Sequence, residues 1–535
     1  MKYKFDTIIQ VFETFVRAIY KSFREKRNMF KEQPKMKPVF YCTASGVLLG
    51  LSYSYFLWWM AWIALVPFIL FLKDTKRGFL SGFFTGLIQS LILLSWTVFA
   101  AERFTGQAGF LGWILWIVLS VYMALWLGVF GYCYVKLKKF FADDAPFKLI
   151  LSTACVWVFL EWFRILFLPG IPWVEYIFAT TQSTNLYLIQ TSSVFGLFSV
   201  SLFVVLLNLL LAEWFTKRKN AIAITWCLLL VGQCVVGGVL VELNSNNVNE
   251  RVEFALIQEN IPPEQKWSEA NGDSLAHIFF DLNREAAMMQ PDIILWSETA
   301  MPWVFTDDDD FMKEVLKITY ASKANHLVGY LSESGKSNNS VFNSALLIEA
   351  DGAVRSVTHK ENLLSALEKP LVTTGNTRIP VFSTSVMDNI LPGNKGALIR
   401  SRYGSIGNLI CNESLRAEVA RKKVKNGAEL LTVMSNNSWF SDNRLLIHHF
   451  YITRLMGVAN RRDVVINSNW GFAGHINASG KILKKSKSQT SQVLKVSAAL
   501  ESETSLFTKF GDIPLLVALT LLFLTITMNY KSQKK

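Results

Sequence analysis

Long apolar stretches constrain the fold of this chain more than any other feature. Eight of them can be read, seven before residue 245 and one near the carboxyl end, at 38–54, 56–73, 78–100, 109–135, 149–168, 190–215, 221–242 and 513–529. Crossing a bilayer as a helix takes about 20 mostly apolar residues, and a helix satisfies its own backbone in lipid. The sequence therefore predicts a polytopic α-helical membrane protein with about eight transmembrane helices. The first two stretches are short and adjacent, so their boundary is the least defined.

The distribution of Lys and Arg predicts the orientation. Five segments together hold 23 of the 54 Lys and Arg, namely 1–37, 73–77, 136–148, 217–219 and the tail after 530. The alternate loops 101–108 and 169–189 hold only Arg103. Since Lys and Arg collect on the cytoplasmic side of membrane proteins, we expect both termini in the cytoplasm. Seven preceding spans then place the block from 245 onwards on the outer face.

The formal net charge of +13 does not indicate nucleic-acid binding, because the excess of Lys and Arg lies in the predicted cytoplasmic segments. Residues 1–37 are too charged for a signal peptide. Their apolar residues recur at helical spacing, which favours an amphipathic helix on the inner leaflet. We expect four regions: this basic segment, a seven-helix domain over 38–244, a soluble domain over 245–510, and a last helix with a basic tail over 511–535. We expect the chain to act as a monomer.

The block 245–510 has the pattern of one soluble α/β domain. It holds all six His of the chain. Seven mostly apolar runs predict buried strands, at 252–258, 292–296, 326–331, 344–350, 405–411, 429–435 and 463–468. Helical stretches such as 268–290 and 444–461 lie between them, which favours a layered α/β domain over a β-sandwich.

Cys411, in the stretch GNLICNESL, is the only cysteine of this block, because the other five lie in predicted spans. It therefore has no disulfide partner in a compartment that favours disulfides. An unpaired thiol there is either reactive or a small buried hydrophobe at a strand end.

A nucleophilic thiol needs a base, and acyl chemistry needs donors for the oxyanion. His448 or His449 could be the base, but both cannot face one site from a helix. The single Cys and scattered His lack zinc-site spacing, so we expect no metal, and we expect no cofactor. The third possibility is Glu298 after the strand DIILW, with Lys360 in THKENLLSALEKP. Glu298 could instead be a helix N-terminal acid, and Lys360 a solvated loop cation.

The order of Glu298, Lys360 and Cys411 resembles the nitrilase superfamily. On this membrane topology, residues 38 to 530 resemble its membrane-embedded branch, the apolipoprotein N-acyltransferase family. Further family-like segments carry Glu161 and Arg164 in LEWFRILFLPGIPW, Trp267 in EQKWSEA, Asn343 in VFNSA and Trp439 in SNNSWF, and SLFTKFGD closes the domain.

The resemblance implies a nitrilase-like αββα sandwich on the periplasmic side of a bacterial inner membrane. It further implies that Cys411 takes a fatty acyl chain from a phospholipid as a thioester and passes it to the α-amino group of the diacylglyceryl-cysteine of a lipoprotein. Glu298 is then the base, and Lys360 stabilises the oxyanion. Glu368, eight residues after Lys360, and Glu413 match acids that support the family's site, and Asn412 adjoins the thiol.

The chain departs from the family pattern at three places. Asn412 stands where Tyr usually follows the nucleophile, Ser365-Ala366-Leu367 replaces Pro-Phe-Gly, and Ser441 replaces Gly. Three functions therefore stay open: the usual acyl transfer, a divergent enzyme with another acceptor or a membrane-bound amidase, and a non-catalytic scaffold.

Several supporting residues also have structural interpretations. Trp267, Trp303 and Trp439 either line the substrate site or serve as core or interfacial aromatics. Glu161 and Arg164, three residues apart near the outer end of a span, either neutralise each other or contact a lipid head group.

Overall fold

The computed structural model describes most of the chain outside the amino-terminal segment. The described residues are 36–55, 57–105, 110–141, 145–167, 170–244, 250–266, 271–335, 340–365, 368, 372–374, 377–379, 390–440 and 442–533. The predicted amphipathic helix and the residues Trp267, Ala366, Leu367 and Ser441 lie outside them.

The amino-terminal half of the described chain is helical. Its helices are α1 (Met36–Ser54), α2 (Val66–Leu72), α3 (Gly78–Leu93), α4 (Thr97–Thr105), α5 (Phe110–Phe141), α6 (Pro146–Phe167), α7 (Ser192–Phe195), α8 (Leu197–Lys217) and α9 (Asn220–Leu243). Among the described residues, α5, α6, α8 and α9 are long and apolar enough to cross a membrane. Shorter apolar helices cover Met60–Leu72, Gly78–Leu93 and Ile513–Met528.

Four helices of membrane-crossing length are established among the described residues, and three of the eight predicted spans contain an interruption. In 56–73, a 3₁₀ turn at Met60–Trp62 precedes α2, whose start fits Pro67 because proline lacks the N–H that a first turn leaves unpaired. In 78–100, the helix breaks before Thr97, whose hydroxyl donates to the Leu94 carbonyl at 2.7 Å. In 190–215, Gly196 has φ +80° between α7 and α8, and a Cβ there would lie 1.9 Å from Asp512 Oδ1.

The described residues of the carboxyl-terminal half form seven further helices. These are α10 (Pro263–Lys266), α11 (Gly272–Met288), α12 (Asp310–Thr319), α13 (Ala417–Lys425), α14 (Asn443–Asn460), α15 (Leu506–Phe510) and α16 (Ile513–Gln533). Its strands are β1 (Arg251–Gln258), β2 (Ile293–Leu295), β3 (Asn325–Glu333), β4 (Val341–Ile348), β5 (Val354–His359), β6 (Val372–Thr374), β7 (Thr377–Ile379), β8 (Ile399–Ser401), β9 (Gly404–Ile410), β10 (Leu430–Asn436), β11 (Val464–Asn469), β12 (Gly474–Ile476), β13 (Ile482–Lys485) and β14 (Gln492–Ala499).

Twelve of these strands form two six-stranded sheets. Their orders are β14-β1-β2-β3-β4-β5 and β13-β12-β11-β10-β9-β8. Strands β1, β2 and β3 run parallel in the first sheet, and β9, β10 and β11 run parallel in the second. All seven predicted strands are present. Strands such as β5 and β13 escaped sequence reasoning because at least half of their residues are exposed and their sequences lack an apolar run.

The two sheets pack face to face between helical layers, as in an αββα sandwich. Alternate residues of β1 show this, since side chains of a strand point to opposite faces. Phe254 and Leu256 join the core between the sheets, whereas Ala255 and Ile257 pack in the cluster that includes α11 and α12. The outer face of the second sheet shares one continuous apolar cluster with α14 and the membrane helices.

Buried arginines of α14 and its end tie the sandwich to the membrane domain. Arg454 donates to the carbonyl oxygens of Ser183 and Thr184 at 3.1 and 2.9 Å. Arg461 donates to Gln190 Oε1 and Ser193 Oγ, both at 2.8 Å. The two parts are therefore fixed relative to each other, which allows one site to be built from both.

Candidate active site

Glu298, Lys360 and Cys411 each lie just beyond the end of a strand. Glu298 lies three residues after β2, Lys360 directly follows β5, and Cys411 directly follows β9. Because β9 belongs to the second sheet and the other two strands to the first, the sandwich brings the three side chains together between its halves.

Lys360 lies at the centre of a buried cluster of charges. Its Nζ lies 3.1 Å from Glu298 Oε1 and 2.8 Å from Glu368 Oε1. Asn343 Nδ2 also donates to Glu298 Oε1, at 2.8 Å, and the Asn436 N–H donates to Glu298 Oε2 at 3.0 Å. Lys360 is only 2% exposed and Glu298 only 7%. Two carboxylates therefore replace water around the buried ammonium. A buried charge needs such partners.

Cys411 begins a 3₁₀ turn, Cys411–Leu415, with φ of +53°. A left-handed conformation is costly for a residue other than glycine, and such strain concentrates at functional sites. Cys411 is half-buried, and the charges of Glu298 and Lys360 act on its thiol. Glu298 is thus a candidate base for the thiol proton.

The charges of this cluster shift one another's pKa values. Burial alone would raise the pKa of Glu298, but the Lys360 ammonium and the hydrogen bonds from Asn343 and Asn436 outweigh it and hold that pKa below its usual value. Burial opposes the charge of Lys360, yet the carboxylates of Glu298 and Glu368 raise its pKa. Burial and the Glu298 carboxylate raise the pKa of the Cys411 thiol well above its ordinary value. At neutral pH, the resting site therefore holds an ionised Glu298, a charged Lys360 and a protonated thiol.

Glu413 joins the lysine loop to the cysteine turn. Its Oε1 accepts from the N–H groups of Glu361 and Asn362 at 2.7 and 3.0 Å, and its Oε2 accepts from Ile410 N–H at 2.8 Å. Glu368 plays a similar part, since its Oε2 accepts from Leu364 N–H at 2.7 Å. Both predicted supporting acids thus hold backbone around the site.

An apolar cavity opens at Cys411 between the two parts of the molecule. Its lining comes from four segments: Trp173 and Tyr176 of the membrane domain, Leu364, the turn residues Cys411, Asn412 and Leu415, and then Asn437, Phe440, Leu445 and His449. The thiol therefore faces a mostly apolar cavity to which the membrane domain contributes two aromatic side chains.

The loop 170–177 of the membrane domain contacts the segments that follow Lys360 and Cys411. The Ser365 N–H donates to the Gly170 carbonyl at 2.9 Å, a bond that proline at this position could not make. Glu175 accepts from the Gly170 N–H at 3.2 Å and pairs with Arg416 at 3.0 Å. These contacts set the position of Trp173 and Tyr176 in the cavity wall.

Glu161 and Arg164 of α6 bond the backbone at the end of this loop. They are 4% and 9% exposed. Glu161 accepts from the Phe178 N–H at 2.6 Å, and Arg164 donates to the Tyr176 carbonyl. Sequence reasoning missed this role, since it considered only mutual neutralisation or a lipid contact.

The two histidines point to different places. His448 Nε2 lies 3.3 Å from the Ser54 carbonyl in the membrane domain. His449 Nε2 lies 2.7 Å from Ser414 Oγ and 3.2 Å from the Cys411 carbonyl. Burial lowers the pKa of His449 to about 4. His449 therefore supports the cysteine turn as a neutral ring.

The predicted aromatic residues differ in placement. Trp303 Nε1 donates to Asp309 Oδ2 at 2.9 Å, and the ring packs at the edge of the α11 and α12 cluster, so it is a structural residue. Trp439 is half-buried in the turn after β10, between the cavity residues Asn437 and Phe440. Trp267 lies outside the described residues.

A second buried ion pair adjoins the site and was missed from the sequence. Lys266 Nζ lies 3.7 Å from Glu259 Oε1, and both side chains are fully buried. Glu259 also bonds Ser297, the residue before Glu298. Burial lowers the pKa of Lys266 and raises that of Glu259. The only sequence feature that pointed to a role for Lys266 was its position beside Trp267 in the family-like segment EQKW.

Among the described residues, no group of three or more His, Cys, Asp or Glu could hold a metal ion.

Comparisons with known proteins agree with this architecture. Residues 45–210 match the family model for the apolipoprotein N-acyltransferase N-terminal domain, and residues 255–506 match the carbon-nitrogen hydrolase model. The chain is 28% identical over 490 residues to the apolipoprotein N-acyltransferase of Geobacter metallireducens, covering 88% of this chain and 91% of that protein. It is 25% identical over 519 residues to that of Chlorobaculum tepidum, covering 89% and 93%.

Among solved structures, the chain is similar to Saccharomyces cerevisiae Nit3, a member of branch 10 of the nitrilase superfamily. The sequence identity is 14% and the TM-score 0.36, over 48% of this chain and 92% of that one.

Proposed function

The chain belongs to the apolipoprotein N-acyltransferase family and is an acyltransferase of the nitrilase superfamily, and we propose that its acyl group passes through a thioester on Cys411. The observation that carries this proposal is the meeting of Cys411, Glu298 and Lys360 at a cavity partly walled by the membrane domain. A soluble amide would not need such a cavity, whereas a lipid acyl chain would.

In the first half-reaction, Cys411 Sγ attacks the carbonyl carbon of a phospholipid acyl ester. The S–C bond forms while the thiol proton passes to Glu298, whose carboxylate acts electrostatically on the thiol. When the tetrahedral intermediate collapses, the C–O bond breaks and Glu298 returns the proton to the leaving alkoxide. A lyso-phospholipid departs, and the acyl chain remains on Cys411.

Lys360 and the backbone of the cysteine turn stabilise the oxyanion. An ammonium has three donors, and Lys360 uses two of them on Glu298 and Glu368, so one is left for the oxyanion. The Asn412 N–H stands in the first turn of a helix, where N–H groups have no intrahelical partner. Each such donor typically contributes about 10²–10³ in rate.

In the second half-reaction, the α-amino group of a lipoprotein's diacylglyceryl-cysteine attacks the thioester. The C–N bond forms and the C–S bond breaks. The amine proton passes through Glu298 to the sulfur, which restores the thiol. The product is an N-acylated lipoprotein.

The same proposal includes an inner-membrane location with the sandwich on the periplasmic side and both termini in the cytoplasm. Its support is the concentration of Lys and Arg in alternate loops and a cavity that faces the membrane domain. A C-terminal fluorescent-protein fusion should fluoresce, and a C-terminal alkaline phosphatase fusion should be inactive. The opposite pair of results would reverse the proposed orientation.

The thioester is tested by mass. Purified protein incubated with phosphatidylethanolamine should gain one fatty-acyl mass, which hydroxylamine removes and which Cys411→Ala does not acquire. An adduct that persists in Cys411→Ala, or no adduct with any phospholipid, would refute the proposal.

A further inference from the structure

We propose that the side-chain oxygen of Asn412 accepts a hydrogen bond from the incoming amine and so favours an amine over an alcohol at the Cys411 thioester. The inference rests on the proposed function, because it concerns the second half-reaction of that same site. It makes Asn412 part of a subsite for a primary amine.

The orientation of the Asn412 amide is fixed by its neighbour. Nδ2 donates to the Asn362 carbonyl at 3.1 Å, and a carbonyl can only accept, so the amide cannot be flipped. Oδ1 consequently points elsewhere. It is buried and, within the part of the chain that the structure describes, has no hydrogen-bond partner, and the whole residue is 4% exposed.

The unpaired oxygen belongs to a residue of the cavity wall next to the nucleophile. Buried acceptors without a donor are destabilising and uncommon. Two other polar side chains of this wall have partners: Asn437 Nδ2 donates to Ser468 Oγ at 2.9 Å, and His449 Nε2 bonds Ser414 at 2.7 Å. Asn412 Oδ1 is thus a vacant acceptor on the residue that directly follows the nucleophile and lines its cavity.

An amine suits this acceptor better than an alcohol does. A neutral primary amine carries two N–H groups. One proton goes to Glu298 as the C–N bond forms and the C–S bond breaks, and the other N–H can donate to Asn412 Oδ1. An alcohol, such as the lyso-phospholipid that reverses the first half-reaction, has only one O–H, which Glu298 takes. The extra hydrogen bond therefore speeds transfer to the amine relative to reversal.

The test separates the two nucleophiles on a preformed acyl-enzyme. Protein acylated with phosphatidylethanolamine and freed of lipid is mixed with a diacylglyceryl-cysteinyl peptide, with its N-methyl form, or with lyso-phosphatidylethanolamine, and loss of the acyl mass is timed. In Asn412→Leu, the ratio of the amine rate to the alcohol rate should fall about 5- to 100-fold, the range expected for a lost hydrogen bond to a buried group. The ratio of primary to N-methyl amine should fall as well, because the N-methyl form has only one N–H.

Leu415→Ala is the matched control, since Leu415 lines the same cavity without a polar side chain. It should alter both rates by a similar factor and keep their ratio within about twofold. An Asn412→Leu ratio equal to that of the unsubstituted protein would overturn the inference. Should Asn412→Leu fail to fold, the inference is tested on the unsubstituted protein. If the primary amine reacts less than about twofold faster than its N-methyl form, the inference is overturned. Failure of the unsubstituted protein to form any acyl-enzyme would instead refute the proposed function.

Discussion

Lys360 Nζ lies 3.1 Å from Glu298 Oε1, and both side chains are almost completely buried. Each charge therefore depends on the other. Removing one partner of such a pair leaves an uncompensated charge in the interior, which typically costs about 3–5 kcal/mol. The catalytic proposal and the stability of the site are thus linked through one contact.

Lys360→Met should abolish detectable acyl transfer and lower the melting temperature in detergent. In the unsubstituted protein, the pKa of Glu298 is held below its usual value. The ionised carboxylate therefore stabilises the fold above the unfolded pKa of about 4.3. This stabilisation is lost as the pH falls through the lower folded pKa. In the variant, Glu298 lacks its cation and takes up a proton more readily, so the deficit should be greatest near neutral pH and shrink below about pH 4. Melting curves at several pH values check this.

Lys425→Met is the control for that variant, because Lys425 is an exposed residue at the end of α13. It should leave both the melting temperature and its pH dependence nearly unaltered. A Lys360→Met protein as stable as this control would contradict the buried-pair interpretation.

Glu298→Gln should change two reactions of Cys411 in opposite directions. The Glu298 carboxylate raises the pKa of the thiol, so its loss should increase the thiolate fraction and speed alkylation by iodoacetamide at pH 8. Acyl transfer should fall about 10²–10⁴-fold, since the base is gone. In the unsubstituted protein, the alkylation rate should still be rising above pH 9, beyond the ordinary thiol pKa of about 8.5. Parallel loss of both reactions would indicate a collapsed site and not a missing base.

Gly170→Ala should disturb the contact between the membrane loop and the lysine loop. Gly170 has φ +93°, and a Cβ there would lie 2.5 Å from Ser365 Oγ. We expect the loop to shift and acyl transfer to fall at least several-fold, with a modest loss of stability. Gly238→Ala is the control, because a Cβ there has no heavy atom within 4 Å. Equal activity of the two variants would show that the loop position does not matter.

Arg461→Leu should loosen the attachment of the sandwich to the membrane domain. It removes the donors to Gln190 and Ser193 and leaves buried acceptors unpaired, at a cost of about 1–3 kcal/mol each. The melting temperature should fall clearly, as measured by unfolding in detergent. Arg284→Leu, which breaks the exposed pair with Asp281, should stay within about 0.5 kcal/mol. Similar values for the two variants would refute a structural role for Arg461.

Two residues of the central cluster, Glu298 and Cys411, could be predicted from sequence because each follows an apolar strand. Runs such as DIILW and SIGNLIC identify β2 and β9, and the strand ends then place Glu298 and Cys411. The αββα arrangement itself came from the family resemblance. Periodicity alone does not say which strand ends of two separate sheets face each other.

Other parts of the site could not be read from the chain. Glu175 and Arg416 lie far apart in sequence and pair only because the membrane loop folds over the cysteine turn. The burial of Lys266 with Glu259 depends equally on tertiary packing, since a lysine and a glutamate in a polar stretch look solvated. The interruption of the predicted span 78–100 has a local reason, because the Thr97 hydroxyl bonds the Leu94 carbonyl in a stretch whose hydropathy shows only an apolar run.

The most direct test of the central claim follows one labelled acyl chain through Cys411. Protein acylated from phosphatidylethanolamine that carries a labelled fatty acid is freed of lipid and mixed with a diacylglyceryl-cysteinyl peptide. The label should leave Cys411 and appear in amide linkage on the peptide's α-amino group. Label that stays on the protein, or is released only as free fatty acid, would contradict the account.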